Sequence, residues 1–111
     1  HKILQLEALE YAFSRAKMLI SEPKFIEGIK GKEIYKEQPF KVKNELKQMD
    51  LFCFNEREIC VIDYKTTDKN IEENKKQVKE YKDALAKFYE KHSIIAVIFY
   101  ALEGKISYIE V

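Results

Sequence analysis

The chain has 111 residues, 46% of them hydrophobic and 13% aromatic, so it can form one packed domain over residues 1–111. Its 20 Lys and Arg nearly balance its 19 Asp and Glu, and the net charge of +1 excludes an evenly basic nucleic-acid coat, though not a local basic face. The longest apolar run, residues 94–102, is too short to span a bilayer, and we expect no signal peptide.

We therefore expect a cytoplasmic protein with no membrane partner. Because the chain begins at His1 rather than Met, we also expect it to be a fragment of a larger protein.

The first third of the sequence predicts one helix and one irregular connection. Apolar residues recur at helical spacing over residues 3–20, and Ser21-Glu22-Pro23 is a typical stop. Residues 24–32 contain two of the three glycines, which favours an irregular connection.

Three strands are predicted next, over residues 33–43, 46–54 and 58–65. Pro39 in the first indicates an edge position or a break, and Asn55-Glu56 indicates a tight turn between the second and third. In the second strand, Met49, Leu51 and Cys53 alternate with Asp50, Phe52 and Phe54. The unbroken apolar run of the third strand indicates a central strand covered on both faces.

A helix over about residues 71–91 follows, with Asn70 as N-cap and Glu73 completing a capping box. One face of this helix carries Ile71, Val78, Tyr81, Leu85 and Phe88. Residues 94–102 and 105–111 predict a closing hairpin. The order α-β-β-β-α-β-β predicts a single α/β domain.

Two cysteines, Cys53 and Cys60, lie within apolar strand-like runs. They are interpreted first as small buried hydrophobes, with a disulfide or a metal pair as the alternatives. Two thiols are too few for an iron–sulfur cluster that needs four protein ligands, so none is expected.

The third strand ends in Asp63-Tyr64-Lys65. Residues two apart in a strand point to the same face, so Asp63 and Lys65 project together. A short hairpin would bring Asp50 beside Asp63. Two adjacent carboxylates repel each other, and a hard cation such as Mg²⁺ or Mn²⁺ relieves that repulsion. The pattern suits metal-assisted phosphodiester hydrolysis, while a cross-strand salt bridge remains the alternative.

On the following helix, Gln77 and Tyr81 are four residues apart and share a face. Each has a simpler interpretation, Tyr81 as a core residue and Gln77 as a boundary residue. His92 is interpreted as a residue of the helix C-terminus rather than a catalyst.

Together, "QMDLF", "IDYKT" and "QVKEY" resemble the motifs of the PD-(D/E)XK nuclease superfamily, specifically the RecB/AddA-type domain at the C-terminus of bacterial helicase–nucleases. "HKILQLEALE" is similar to the first helix of that family, which opens with a histidine metal ligand. The resemblance implies a restriction-endonuclease-like core, with a mixed central sheet flanked by helices. Because the chain lacks a set of four cysteines, it resembles the members of the family that have no iron–sulfur cluster.

The resemblance also implies roles for individual residues. The carboxylates of Asp50 and Asp63, the main-chain carbonyl of Tyr64 and the side chain of His1 would bind Mg²⁺ or Mn²⁺. Lys65 would position the attacking water and stabilise the transition state.

Gln77 and Tyr81 would support the site or contact DNA. One departure from the family pattern is Lys47, which stands where many members have a Gly three residues before the first Asp.

Nucleic-acid contact is only weakly indicated elsewhere. Residues 24–47 hold seven Lys against four Glu, and residues 69–82 hold five Lys against three Glu. Either stretch can be a phosphate-facing surface or a solvated charged face. Arg is scarce, which disfavours sequence-specific base readout.

The expected function is that of a Mg²⁺-dependent deoxyribonuclease, an exonuclease module of a helicase–nuclease in recombination and double-strand-break repair. Its expected partners are DNA and a helicase domain or subunit. The alternatives are a stand-alone endonuclease of the same fold and a non-catalytic nuclease-like module that binds DNA or protein.

Overall fold

The computed structural model describes residues 17–42 and 45–111. Its elements are α1 (Pro23–Ile29), β1 (Glu33–Val42), β2 (Glu45–Phe54), β3 (Glu58–Lys65), α2 (Ile71–Phe88), β4 (Ser93–Leu102) and β5 (Lys105–Glu110). Of the helix predicted over residues 3–20, the described part, residues 17–20, is helical. The rest of that prediction lies outside the described residues, as does His1.

The five strands form one mixed sheet in the order β1-β2-β3-β4-β5. The pairs β1–β2, β2–β3 and β4–β5 are antiparallel, whereas β3 and β4 are parallel and α2 connects them. The predicted α/β class with a mixed sheet is therefore confirmed. Pro39 lies in β1, an edge strand, where its missing N–H is tolerated.

The prediction of an irregular connection over residues 24–32 is wrong, because residues 23–29 form α1. Pro23 starts this helix, and the side chain of Glu22 accepts a hydrogen bond from the N–H of Lys24 at 3.3 Å. Gly28 is needed for close packing rather than for a turn. A Cβ at Gly28 would lie 3.0 Å from the Sγ of Cys60.

The sheet is covered by a helix on each face. Val78, Tyr81 and Leu85 of α2 pack on the face that carries Ile59 and Val61 of β3. On the other face, Phe25 of α1 packs with a set of strand residues, namely Cys53, Cys60, Ile62, Val97 and Phe99. The prediction that β3 is central and covered on both sides is confirmed.

Two details of the predicted apolar pattern are wrong. Phe88, predicted on the buried face of the second helix, is 85% exposed, because α2 ends at this residue rather than near residue 91. Met49 does not follow Leu51 and Cys53 towards α1; it packs with Phe52 on the α2 side. Glu37, which lies between the β1 residues paired with Leu51 and Met49, has a φ of +51°, so the strand pair is distorted at this point.

The remaining boundaries lie close to their predictions. The β2–β3 loop comprises residues 55–57, and the Asn55 side chain accepts hydrogen bonds from the N–H groups of Arg57 and Glu58. Asn70 occupies the N-cap position of α2 but makes no side-chain capping hydrogen bond in the described structure, so the predicted capping box is absent there.

Cys53 and Cys60 are opposite each other on β2 and β3, and both thiols are free and buried. The interpretation as small buried hydrophobes is confirmed. Desolvation raises the pKa of Cys53 to about 11 and that of Cys60 to about 12.

A candidate acidic site at the end of the central strand

The site is built where β2 and β3 stop pairing with each other. Their antiparallel ladder runs from Phe54–Ile59 to Leu51–Ile62, and Asp50 and Asp63 are the next residues on each strand. The Asp50 carboxylate accepts a hydrogen bond from the N–H of Tyr64 at 2.7 Å. In a continued antiparallel ladder, this N–H would donate to a main-chain carbonyl of the neighbouring strand. Here the Asp50 carboxylate accepts the hydrogen bond instead.

Asp63 is buried beside this carboxylate and is only 5% exposed. Its Oδ2 atom is buried and has no hydrogen-bond partner among the described residues. Burial first, and then the adjacent Asp50 carboxyl group with its negative charge, raise the pKa of Asp63 to about 6. The structure therefore brings the two predicted carboxylates together, at a clear electrostatic cost.

Lys65 partly offsets that cost. Its Nζ lies 3.2 Å from Oδ2 of Asp63, an ion contact that lacks hydrogen-bond geometry. The positive charge acts to lower the pKa of Asp63, but it is outweighed by burial and by Asp50. The Lys65 side chain is 30% exposed, so its ammonium group remains accessible to a ligand in solvent.

Tyr64 lies between these two residues, and its N–H is fixed by Asp50. The role of its main-chain carbonyl as a metal ligand stays a prediction.

The two helix residues of the predicted site have different environments. Tyr81 is 2% exposed and belongs to the core cluster on the α2 side. Burial first, and then the charges of Asp63 and Asp50, raise the pKa of Tyr81 to about 12. Gln77 is half-buried and lines a surface cleft.

Sequence reasoning missed a polar pair beside Lys65. Asn74 of α2 donates its side-chain amide to the hydroxyl oxygen of Tyr100 at 3.2 Å, and Tyr100 is opposite Lys65 in the parallel β3–β4 ladder. The spacing of Asn74 and Gln77 on one helical face was an available signal. Tyr100 gave no such signal because it lies within an apolar run.

The donor set fits a hard divalent cation. Two carboxylates and a main-chain carbonyl are oxygen ligands of the type that Mg²⁺ and Mn²⁺ prefer, with waters completing the coordination. The buried Oδ2 of Asp63, which lacks a hydrogen-bond partner, is the observation that favours such an ion. Within residues 17–42 and 45–111, no three His, Cys, Asp or Glu side chains form a metal-binding group.

Three lysines of the first predicted basic stretch are paired with glutamates. Lys24 contacts Glu110 at 2.6 Å, and Lys32 contacts Glu58 at 3.2 Å. Lys47, which departs from the family pattern, contacts Glu45 at 3.2 Å. These contacts favour the interpretation as a charged surface for these three lysines.

His92 lies at the opposite end of the sheet from the acidic pair. Its Nε2 is 3.0 Å from the carbonyl oxygen of Asn55, and its ring packs edge-on against Tyr89. It follows the C-terminus of α2, and its contacts join the turn after α2 to the β2–β3 loop.

The fold and the site define an α/β protein with two carboxylates and a lysine at the carboxyl end of a central strand. No helix in the described part of the chain has both the length and the apolar composition required to cross a membrane. The chain matches no protein-family model, no curated protein and no solved structure.

Proposed function

We propose that this chain is a Mg²⁺- or Mn²⁺-dependent deoxyribonuclease domain with a restriction-endonuclease-like core. The observation that carries the proposal is the side-by-side placement of Asp50 and Asp63 with Lys65 adjacent. The element order α-β-β-β-α-β also supports it, because this is the order implied by the resemblance to RecB/AddA-type nuclease domains.

In this proposal, Asp50, Asp63 and the carbonyl of Tyr64 hold the cation. The bound ion supplies Lewis-acid polarisation of the phosphate and lowers the pKa of the attacking water. The hydrogen bond from the Tyr64 N–H fixes the orientation of the Asp50 carboxylate. His1 would be a further ligand, as the resemblance implies.

Lys65 acts on the substrate rather than on the fold. The ammonium group of this partly exposed side chain donates a hydrogen bond to the attacking water or to a phosphate oxygen and balances the charge that builds up in the transition state. Tyr81 forms the buried support beneath the acidic pair, and Gln77 faces the surface from which DNA approaches.

The wider context is part of the same proposal. We place the domain in a cytoplasmic helicase–nuclease that processes DNA breaks, acting as its exonuclease module. An endonuclease with the same site would be distinguished by its ability to cut circular DNA.

The test is cleavage of linear single- and double-stranded DNA in Mg²⁺, in Mn²⁺ and in EDTA. We expect metal-dependent cleavage by the wild type and a loss of at least about 100-fold in Asp63→Asn and Lys65→Ala, since each removes a group that acts on the transition state. Asp83→Asn and Lys87→Ala alter exposed residues of α2 and serve as matched controls that keep activity.

Activity that survives in EDTA, or in both site variants, would contradict the mechanism. DNA binding without cleavage in either metal would instead favour the non-catalytic binding module. Release of short products from linear DNA only, with circular DNA intact, is the result expected for an exonuclease.

A further inference from the structure

A polar cleft of about 310 Å³ lies between β2 and α2. Its lining residues are all charged or amide side chains: Lys47, Glu73, Asn74, Lys76, Gln77 and Glu80. The volume is at the lower end of the range typical of small-molecule sites, roughly 300–1,000 Å³. The cleft can therefore hold a single chemical group of moderate size.

Three connections place the cleft beside the acidic pair. Lys47 precedes Asp50 by three residues on β2. Asn74 is hydrogen-bonded to Tyr100, which is opposite Lys65. Gln77 and Glu80 lie on the turn of α2 that carries Tyr81, and Tyr81 belongs to the same core cluster as Met49, the residue before Asp50. A ligand in the cleft would therefore lie next to the reacting phosphate.

The charges of the cleft do not suit a phosphate group. Its two lysines are balanced by its two glutamates, and the ammonium of Lys47 is already paired with Glu45 at 3.2 Å. Phosphate sites carry an excess of positive charge. What distinguishes this cleft is its pair of half-buried amides, Asn74 and Gln77, each of which offers hydrogen-bond donors and an acceptor.

We propose that this cleft binds an unpaired nucleobase of the DNA strand, next to the phosphodiester that is cleaved. A neutral base with mixed donors and acceptors along its edge matches a cleft with no net charge and two amides. The amide oxygen of Asn74 remains available as an acceptor, because its nitrogen is the atom that contacts Tyr100. The inference rests on the proposed function and specifies its substrate further: the DNA has an unpaired base at the site of cleavage.

The strand must be locally single-stranded for this contact. In a duplex, the Watson–Crick edge of each base is engaged with its partner, and only unstacked bases can offer that edge to side chains. The cleft therefore selects against intact duplex at the point of cleavage.

The test measures affinity without cleavage. Fluorescence anisotropy in EDTA compares a labelled deoxyadenosine dodecamer with a dodecamer of abasic tetrahydrofuran units, which has the same backbone charge. We expect the wild type to bind the adenine strand about 10-fold more tightly, since one well-formed base contact contributes on the order of 1–3 kcal/mol.

Substitutions in the cleft test whether the preference for the adenine strand arises there. In Gln77→Ala and Asn74→Ala the preference should fall to about twofold or less, whereas Gln48→Ala, an exposed amide on β2, should keep it. Gln77 is half-buried and Asn74 is hydrogen-bonded to Tyr100, so either substitution can also affect folding. Thermal unfolding is therefore compared for all three variants. If Asn74→Ala is unstable, the result for Gln77→Ala is the one that counts.

Equal affinity of the wild type for both strands, or no measurable binding of either, would overturn the inference. So would a 10-fold preference that persists in Gln77→Ala. These outcomes are separate from failure of the proposed function: cleavage that requires Asp63 and Lys65 would stand without a base preference, and a base preference would stand without cleavage.

Discussion

Asp63 is a charged residue that is almost fully buried, with only 5% of its surface exposed. Its carboxylate is desolvated, lies against Asp50 and is only partly compensated by Lys65. Such an arrangement is unfavourable for folding by itself. We infer that this carboxylate serves ligand binding, since stability alone would favour a neutral residue at this position.

Replacing Asp63 with Asn is expected to stabilise the metal-free protein at pH 7.5, by on the order of 1–3 kcal/mol, because the amide is neutral. The folded carboxyl group has a pKa of about 6, against an ordinary value of 3.8, so the folded state binds the proton more tightly. The contribution of the Asp63 carboxyl group to the free energy of unfolding of the wild type therefore rises as the pH falls through about 6, and it levels off below about pH 4.

Thermal unfolding in EDTA at pH 7.5 and pH 5 measures this effect. The advantage of Asp63→Asn over the wild type should be largest at pH 7.5 and should shrink at pH 5. A wild type that is the more stable protein at pH 7.5, or an advantage that does not depend on pH, would show that the carboxylate pair is not under electrostatic stress.

The two thiols should be chemically inert in the folded protein. Cys53 and Cys60 are 0% and 2% exposed, and burial raises both pKa values, so little thiolate is present at pH 8. Alkylation by iodoacetamide, followed by mass spectrometry, should be at least about 100-fold slower in buffer than in guanidinium. Rapid labelling of the folded chain would show that α1 does not cover this face of the sheet.

The site residues differ in how far the sequence alone predicts that they lie together. Asp50, Asp63 and Lys65 could be placed together because strand alternation and a short hairpin fix which residues are neighbours. Asn74 and Tyr100 could not, because their contact depends on how α2 lies over the parallel pair β3–β4. That angle is a tertiary property that no local pattern specifies.

At the scale of elements, the strands and α2 were predictable because their hydrophobic periodicity is strong. The helix α1 was missed because Gly28 and Gly31 favour a loop, although Pro23 at its first position was a start signal. The close approach of α1 to β3 favours glycine at position 28, because a Cβ there would lie 3.0 Å from Sγ of Cys60. Phe88 was misplaced because periodicity gives the face of a helix but not where its contact with the sheet ends.

Two positions on α2 test this assignment of its buried face. Leu85 is 8% exposed within the core, so Leu85→Ala should lower the free energy of unfolding by about 2–3 kcal/mol. Phe88 is 85% exposed, so Phe88→Ala should change it by less than about 0.5 kcal/mol.

Urea unfolding followed by circular dichroism measures both variants. A large loss in Phe88→Ala would mean that the end of α2 is covered in solution. A small loss in Leu85→Ala would mean that α2 does not pack on the sheet as described.

At the scale of the whole molecule, the acidic pair lies at the carboxyl ends of the parallel strands β3 and β4. This is the end of an α/β sheet at which ligands commonly bind. At the opposite end, Nε2 of His92 contacts the main-chain carbonyl of Asn55. Since a helix covers each face, the exposed Lys65 and the polar cleft beside it provide the approach to the pair.

The central claim is that Asp50 and Asp63 form a cation site. Isothermal titration calorimetry with Mn²⁺ at pH 7.5 tests it most directly, using wild type, Asp63→Asn and the exposed control Asp83→Asn. We predict saturable binding to the wild type and to Asp83→Asn, and its loss in Asp63→Asn. Equal binding to wild type and Asp63→Asn, or no binding to the wild type, would contradict the claim.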